Sequence, residues 1–208
     1  MVLLPPLPIE SPMPRPRAFD ESQVLAKARD RFWAHGYTAT SIQDLEDVTG
    51  LKRSSIYQAF GDKRRLYDRI LRDYQGDSEA YLRDLVASAK TFREAVERLF
   101  RDAATRICDC PLRKGCLIAN ATAELASVDE EINAFVVDNR ERFVATLLPL
   151  ARRDANQLSL KPEAACDYVF TVYSGLNLLG KSGAGYEDVL AVARAAASTL
   201  QNGGSVES

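Results

Sequence analysis

The chain has 208 residues, 46% hydrophobic and 27% charged, with a formal net charge of −2, which is enough apolar material for a sizeable core and excludes wholesale disorder. Its purely apolar runs are a few residues long, far short of the ~20 that cross a bilayer, and the opening MVLLPPLPIESPMPRPR has no basic start and is broken by prolines, so neither a membrane span nor a secretory leader is expected. The charge is uneven: residues 15–75 hold 12 Lys/Arg against 9 Asp/Glu, net +3, while the rest holds 15 against 20, net −5, the pattern of a small DNA-reading head on a body with another task.

Apolar residues recur at three- and four-residue intervals, strand-like alternation is absent, and Ala, Leu, Arg and Glu dominate, so the chain reads as all-α. Residues 1–17 are expected to form a disordered arm. A first helix starts near Asp20, places Val24, Leu25, Ala28, Phe32 and Trp33 on one face, and stops at Gly36. Thr38 to Ser41 supply hydroxyls to cap a short second helix over about 42–48, which Gly50 ends. A third covers about 52–60, and a long fourth runs from Asp62 or Lys63 to about Ser88, turning Leu66, Ile70, Leu71 and Tyr74 inward. Thr91 caps a fifth that reaches Ile107. After a break at Pro111 and Gly115, a sixth covers 117–126. Asp129 caps a seventh that Pro149 should kink or end. An eighth starts at Pro162 and reaches about Leu179, and after the KSGAG turn a ninth occupies 186–201. These boundaries predict a three-helix head over 18–65, a helical body over 66–202 and a frayed tail over 203–208.

Within residues 36–63, GYTATSIQDLEDVTGLKRSSIYQAFGDK, two short helices flank a tight turn at Thr49 to Leu51 with a glycine at its centre, the arrangement of a helix-turn-helix. Ile42, Leu45, Val48, Leu51, Ile56 and Phe60 would form the shared core, leaving Arg53, Ser54, Ser55, Tyr57, Gln58 and Ala59 on or near the outer side, small and polar enough for a major groove. Three short helices merely packing a core is the plainer alternative, but it does not require Gly50 followed by Tyr57, Phe60 and Lys63.

The segment resembles the DNA-binding signature of the tetracycline-repressor (TetR) family. The match runs through Gly36, Thr40, Ile42, Leu45, Gly50, Leu51, Ser55, Ile56, Tyr57, Phe60, Lys63 and Leu66, in order and at the family's spacing. The resemblance covers about residues 18–70. It implies nine or ten helices, a homodimer formed mainly by the last two long helices, and repression of a double-stranded operator relieved by an unidentified small-molecule effector. It also implies that Thr40, Tyr57 and Lys63 contact phosphates and that Arg53, Ser54, Ser55 and Gln58 lie closest to bases. Two departures stand out: Thr49 where the family often has Ala, and Ala59 in place of a frequent polar or aromatic residue.

The run CDCPLRKGC places Cys108, Cys110 and Cys116 within nine residues, beside Arg113 and Lys114. In a cytoplasmic chain these are expected to be reduced thiols. Neighbouring cations favour thiolates, so Cys116 at a helix start could sense an oxidant or electrophile, with Cys108 or Cys110 to resolve it. A soft-metal site and a small buried hydrophobe remain the alternatives. GCLIANATAEL also resembles a TetR subgroup in which Gly-Cys opens this helix and some members respond to electrophiles.

An effector pocket is expected among the middle helices, with Phe100, Ile107, Leu117, Asn120, Phe143, Leu147, Phe170, Tyr173 and Asn177 as candidate linings and the two asparagines as candidate hydrogen-bonding groups. For the dimer, Val169, Val172, Leu176, Leu179, Val189, Val192, Ala193 and Ala196 repeat at helical spacing, and Gly175 allows close approach. Residue supply is poor for an enzyme: the one histidine, His35, ends the first helix, no phosphate-binding glycine loop follows a strand, and no cofactor or His-based metal motif is present.

Overall fold

Nine α-helices and no strand run through residues 19–200, the part of the chain that the computed structural model describes: α1 Glu21–His35, α2 Ile42–Thr49, α3 Arg53–Phe60, α4 Lys63–Ser88, α5 Phe92–Asp109, α6 Leu117–Leu125, α7 Glu130–Arg153, α8 Pro162–Lys181 and α9 Tyr186–Thr199. The expected arm over 1–17 and tail over 203–208 lie outside the described residues. Side-chain caps explain most of the starts. Asp20 accepts from the Ser22 amide at 2.9 Å, Thr91 from Glu94 at 3.1 Å, and Asp129 from Ile132 at 3.0 Å, each satisfying an otherwise orphan helix N–H. Ser41 and Asp44 form a reciprocal box, with Asp44 N–H to Ser41 Oγ at 3.1 Å and Ser41 N–H to Asp44 Oδ2 at 2.8 Å.

Pro149 does not end α7, which continues to Arg153. Proline removes one hydrogen bond to the carbonyl four residues back. Here both Pro149 and Ala145 are exposed, so the freed carbonyl is on the solvent side and carries no burial penalty. Asp154 just beyond is buried and accepts from the Phe92 amide at 2.7 Å, pinning the end of α7 to the start of α5.

Two apolar clusters form. In the body, Phe92, Val96, Leu99 and Phe100 of α5 pack against Leu147 and Ala151 of α7, Val169 and Leu176 of α8, and Val189 and Ala193 of α9. In the head, Phe32, Leu45, Ile56, Leu66 and Tyr67 are joined by Leu117, Ala121 and Leu125 of α6 and Ile132 of α7. Helix α6 therefore belongs to the head's core by packing, although more than fifty residues separate it from α3 in the chain.

Val169, Val189 and Ala193, expected at the dimer interface, are instead buried within the protomer against α5 and α7, whereas Leu176 and Ala196, also largely buried, form the floor of the outward groove. Helical periodicity identified the apolar stripe of α8 and α9 but not which element covers it. The outward face is different. Tyr168, Val172, Gly175, Leu179, Val192 and Ala195 line an open groove of about 360 Å³, flanked by Leu178, 68% exposed. A second copy of the chain related by a two-fold axis would bury this face as a four-helix contact. Val192→Glu places a charge in its centre without touching the protomer core. The expected outcome is a monomer by sedimentation velocity at micromolar concentration with unchanged helical circular dichroism, and a persistent dimer would remove α9 from the interface.

Candidate nucleic-acid interface and its tie to the body

Helices α2 and α3 meet at the turn Gly50–Lys52. Gly50 adopts the left-handed conformation (φ 76°) and its N–H closes on the Glu46 carbonyl at 2.8 Å, a position that favours glycine. Glu46 also accepts from the Arg53 amide at 2.9 Å, tying the start of α3 to α2. Thr49, the departure from the family pattern, is buried. Its hydroxyl donates to the Leu45 carbonyl at 2.5 Å and accepts from the Leu51 amide at 3.3 Å, so it stitches the turn where alanine would only fill space.

On α3, Arg53, Ser54 and Gln58 are exposed, while Ser55 and Tyr57 are half-buried. The Arg53 guanidinium lies 5.0 Å from the Tyr57 ring centroid, a stacking that holds both groups at one edge of the surface. Ile56 on the opposite side is fully buried. The face therefore offers donors and acceptors outward from a fixed apolar anchor, as groove recognition requires.

Two expected phosphate contacts have other duties. Thr40 is fully buried, its hydroxyl donating to the Gly36 carbonyl at 2.7 Å. In this conformation it cannot touch DNA, and it shapes the α1–α2 loop instead. Lys63 donates to the carbonyls of Tyr37 at 3.0 Å and Thr40 at 2.9 Å and lies 4.1 Å from the Tyr37 ring. An ammonium has three donors, so one remains for a phosphate.

The α1–α2 loop is also held from the body. Glu124 on α6 accepts the amides of Tyr37 at 3.0 Å and Thr38 at 2.7 Å. Burial acts to raise the Glu124 pKa, but the Thr38 and Tyr37 donors outweigh it and hold the carboxyl below its usual range. A methyl group at position 36 would stand 2.7 Å from Glu124 Oε2, and Gly36 has φ 84°, so only glycine permits this grip. Arg64 at the start of α4 pairs with Asp129, the cap of α7, and the arginine's hydrogen bond pulls the Asp129 pKa down to about 2.

The thiol loop is clamped on both sides. Toward the head, the Trp33 indole N–H donates to the Gly115 carbonyl at 3.2 Å and Lys114 pairs with Asp30 at 2.9 Å. Toward the α8–α9 turn, Arg113 donates to the Ala184 carbonyl at 2.6 Å. The two cations expected to act on Cys116 are thus committed elsewhere. Cys110 is the thiol whose pKa is lowered, by the Lys114 amide first and the Leu112 and Arg113 amides after it, with slight burial opposing. Cys116 occupies the N-cap position of α6 without a side-chain capping bond and lies beside Tyr74. Cys166 is fully buried and pushed up to about 12, which leaves it inert. Among the described residues no group of three or more His, Cys, Asp or Glu could hold a metal.

The expected effector residues divide. Phe100 is buried in the body core. Asn120 donates to the Lys114 carbonyl and accepts from Lys181, bracing the thiol loop, and Asn177 donates to Tyr173 of its own helix, so both amides are satisfied internally. Cys108 is half-buried on the last turn of α5. Phe143, Tyr173 and Cys116 do share a region, together with Tyr74, Tyr81 and Arg106, which the sequence reading did not single out. A signal existed: Tyr74 and Tyr81 are seven apart on one helix and share a face.

Comparison with known proteins adds independent findings. Residues 24–70 match the model of bacterial regulatory proteins of the tetR family. The chain is 26% identical over 187 residues to the HTH-type transcriptional repressor BdcR of Escherichia coli K12, covering 90% of this chain and 92% of that protein. It is similar in structure (TM-score 0.79, 28% identity, 90% of this chain and 100% of the other) to a cysteine mutant of the TetR family transcriptional regulator CifR complexed with a 26-base-pair operator. The reduced form of Escherichia coli NemR shares the fold at 17% identity (TM-score 0.77, 89% of this chain and 98% of that one). No helix of the described residues is long and apolar enough to cross a membrane.

The geometry of α3 and of the start of α4 sets the expected behaviour of their variants. Lys63→Ala should weaken binding to all DNA sequences and lower the salt slope by about one unit, whereas Arg53→Ala should cost about 1–3 kcal/mol at particular base positions only. Fluorescence anisotropy over a salt series on matched and mismatched duplexes separates the two, and unchanged binding by a folded Arg53→Ala/Tyr57→Ala/Lys63→Ala variant would overturn the interface.

Proposed function

The chain belongs to the TetR family of bacterial regulatory proteins, and from that premise we propose that it is a cytoplasmic, homodimeric transcriptional repressor released from a palindromic operator by modification of the thiol loop 108–116. Double-stranded DNA is its macromolecular ligand. The two α3 faces, about one helical turn apart in the dimer, read the half-sites through Arg53, Ser54, Ser55 and Gln58, with Tyr57 and the free donor of Lys63 on phosphates.

The observation that carries the reading is the double clamp on the thiol loop. The same nine-residue stretch that holds three cysteines grips α1 through Trp33 and Asp30, and it starts α6, whose far end grips the α1–α2 loop through Glu124. Any adduct on Cys110 displaces its sulfur from the loop amides. Any adduct on Cys116 crowds Tyr74 and the first turn of α6. An effector acts only through differential affinity for two states, and moving an operator from mostly bound to mostly free takes several kcal/mol, which a covalent change at this brace can supply. Two of the cysteines replaced in the operator-bound CifR mutant stand eight positions apart, the separation of Cys108 and Cys116, which supports the thiol reading.

The test is operator release. With a duplex selected from genomic fragments, a quinone should release wild type, while the Cys110→Ser/Cys116→Ser variant stays bound. Equal release by both would remove the thiols from the mechanism. Mass spectrometry of the treated protein should find Cys110 labelled first and Cys166 unlabelled. Glu124→Ala should keep the fold, cost about 1–2 kcal/mol through the two unpaired amides, and blunt the response to the quinone.

A further inference from the structure

Neither operator binding nor the thiol loop uses a cluster of phenols around one guanidinium that lies between α4, α5 and α8. Arg106, on the last turns of α5, stands 4.9 Å from the Tyr81 ring centroid and donates to the Tyr173 hydroxyl at 3.2 Å. Asp102, one turn back and the natural partner for Arg106, accepts instead from the Tyr81 hydroxyl at 2.5 Å. Among the described residues no carboxylate comes within ion-pairing distance of Arg106; partial burial works against its charge, and Tyr173, Tyr81 and Tyr74 are the groups that favour it. A guanidinium has five N–H donors. Two phenols cannot occupy them all, and Arg106 is open to solvent, so a ligand can reach it.

The surroundings describe what that ligand is. The Tyr173 ring lies 5.9 Å from that of Phe143, continuing to Phe170 at 5.2 Å, an aromatic wall beside the cation. One unpaired cation balances one negative charge. The sequence outside residues 15–75 is acidic, net −5, which disfavours a multiply charged phosphate. A planar guanidinium takes a carboxylate through two parallel hydrogen bonds.

We propose that this cluster is an effector site for a small organic carboxylate, its anion held by Arg106 and its apolar part against Tyr74, Tyr81, Tyr173 and Phe143. The site rests on the reading of the chain as an operator-binding regulator only for its consequence, not for its chemistry. Its consequence follows from position. Tyr74 packs edge-on against Trp33 of α1 at 5.1 Å and touches Cys116 at the start of α6, so a ligand that moves Tyr74 acts on both connections to the head. This is a non-covalent input that needs no thiol chemistry.

The test uses the full-length dimer and titrates acetate, butyrate, benzoate and phenylacetate, each beside its neutral amide, by calorimetry and by the fluorescence of Trp33, the single tryptophan. At least one carboxylate should bind tenfold or more tightly than its amide and change Trp33 emission, with the preference lost in Arg106→Gln and kept in Cys116→Ser. Arg106→Gln should keep the wild-type helical circular dichroism and a cooperative melt, because Arg106 lies outside both apolar cores. Amides binding as well as acids, an Arg106→Gln variant that binds as wild type does, or no binding by any of the panel up to about 10 mM would overturn the site. Arg106-dependent binding that leaves operator affinity unchanged would keep the site and overturn its role as inducer. Failure to bind any DNA would count against the regulator reading alone, since the titration does not depend on it.

Discussion

A carboxylate on α6 can receive the amide N–H groups of Tyr37 and Thr38 only because position 36 has no side chain. With Glu124 Oε2 2.7 Å from where a methyl group would sit and Gly36 at φ 84°, any other residue would crowd the carboxylate off the two amides of the loop between α1 and α2. That loop is held at the same time by Lys63 from α4 and internally by Thr40. Helices α1, α4 and α6 therefore converge on one short backbone segment, whose position sets where α2 and α3 stand.

The consequence is mechanical economy between two functions. A DNA-reading head that moved freely on its connecting helix would not respond to events in the body, and a head fused rigidly to it would not move at all. Here the head shares an apolar core with α6, while the polar ties at Trp33, Asp30 and Glu124 are few and partly solvent-accessible. Such contacts cost little to exchange with water. The core keeps α6 attached, and the ties decide its angle.

Both candidate inputs converge on the same place. The thiol loop leads into α6 through Cys116, and the phenol and guanidinium cluster reaches it through Tyr74. A covalent signal and a reversible one would then bias a single two-state element, so neither needs a separate path to the DNA. The charge distribution suits this division. The basic head suits a polyanion, and in the acidic body the proposed acid site rests on Arg106, which no carboxylate neutralises.

The sequence alone was sufficient for the helix order, most of the caps, and the head. Hydrophobic period, glycine stops and Ser, Thr or Asp caps are local properties, and the spacing from Gly36 to Leu66 lies within one continuous stretch. It also marked α3 as the outward helix, because Ile56 falls opposite Ser54 and Gln58 by period alone. Tertiary structure decided the rest. Period does not say what covers an apolar stripe, so Val169 and Ala193 were expected in the dimer and lie in the protomer core. Thr40 has the right chemistry for a phosphate and the wrong burial. Pro149 is tolerated because its face meets water. The Glu124 grip spans 86 residues, and Arg106 is left unpaired only because Tyr81, from another helix, takes Asp102. Such contacts depend on which side chains from distant segments meet, and no local pattern encodes them.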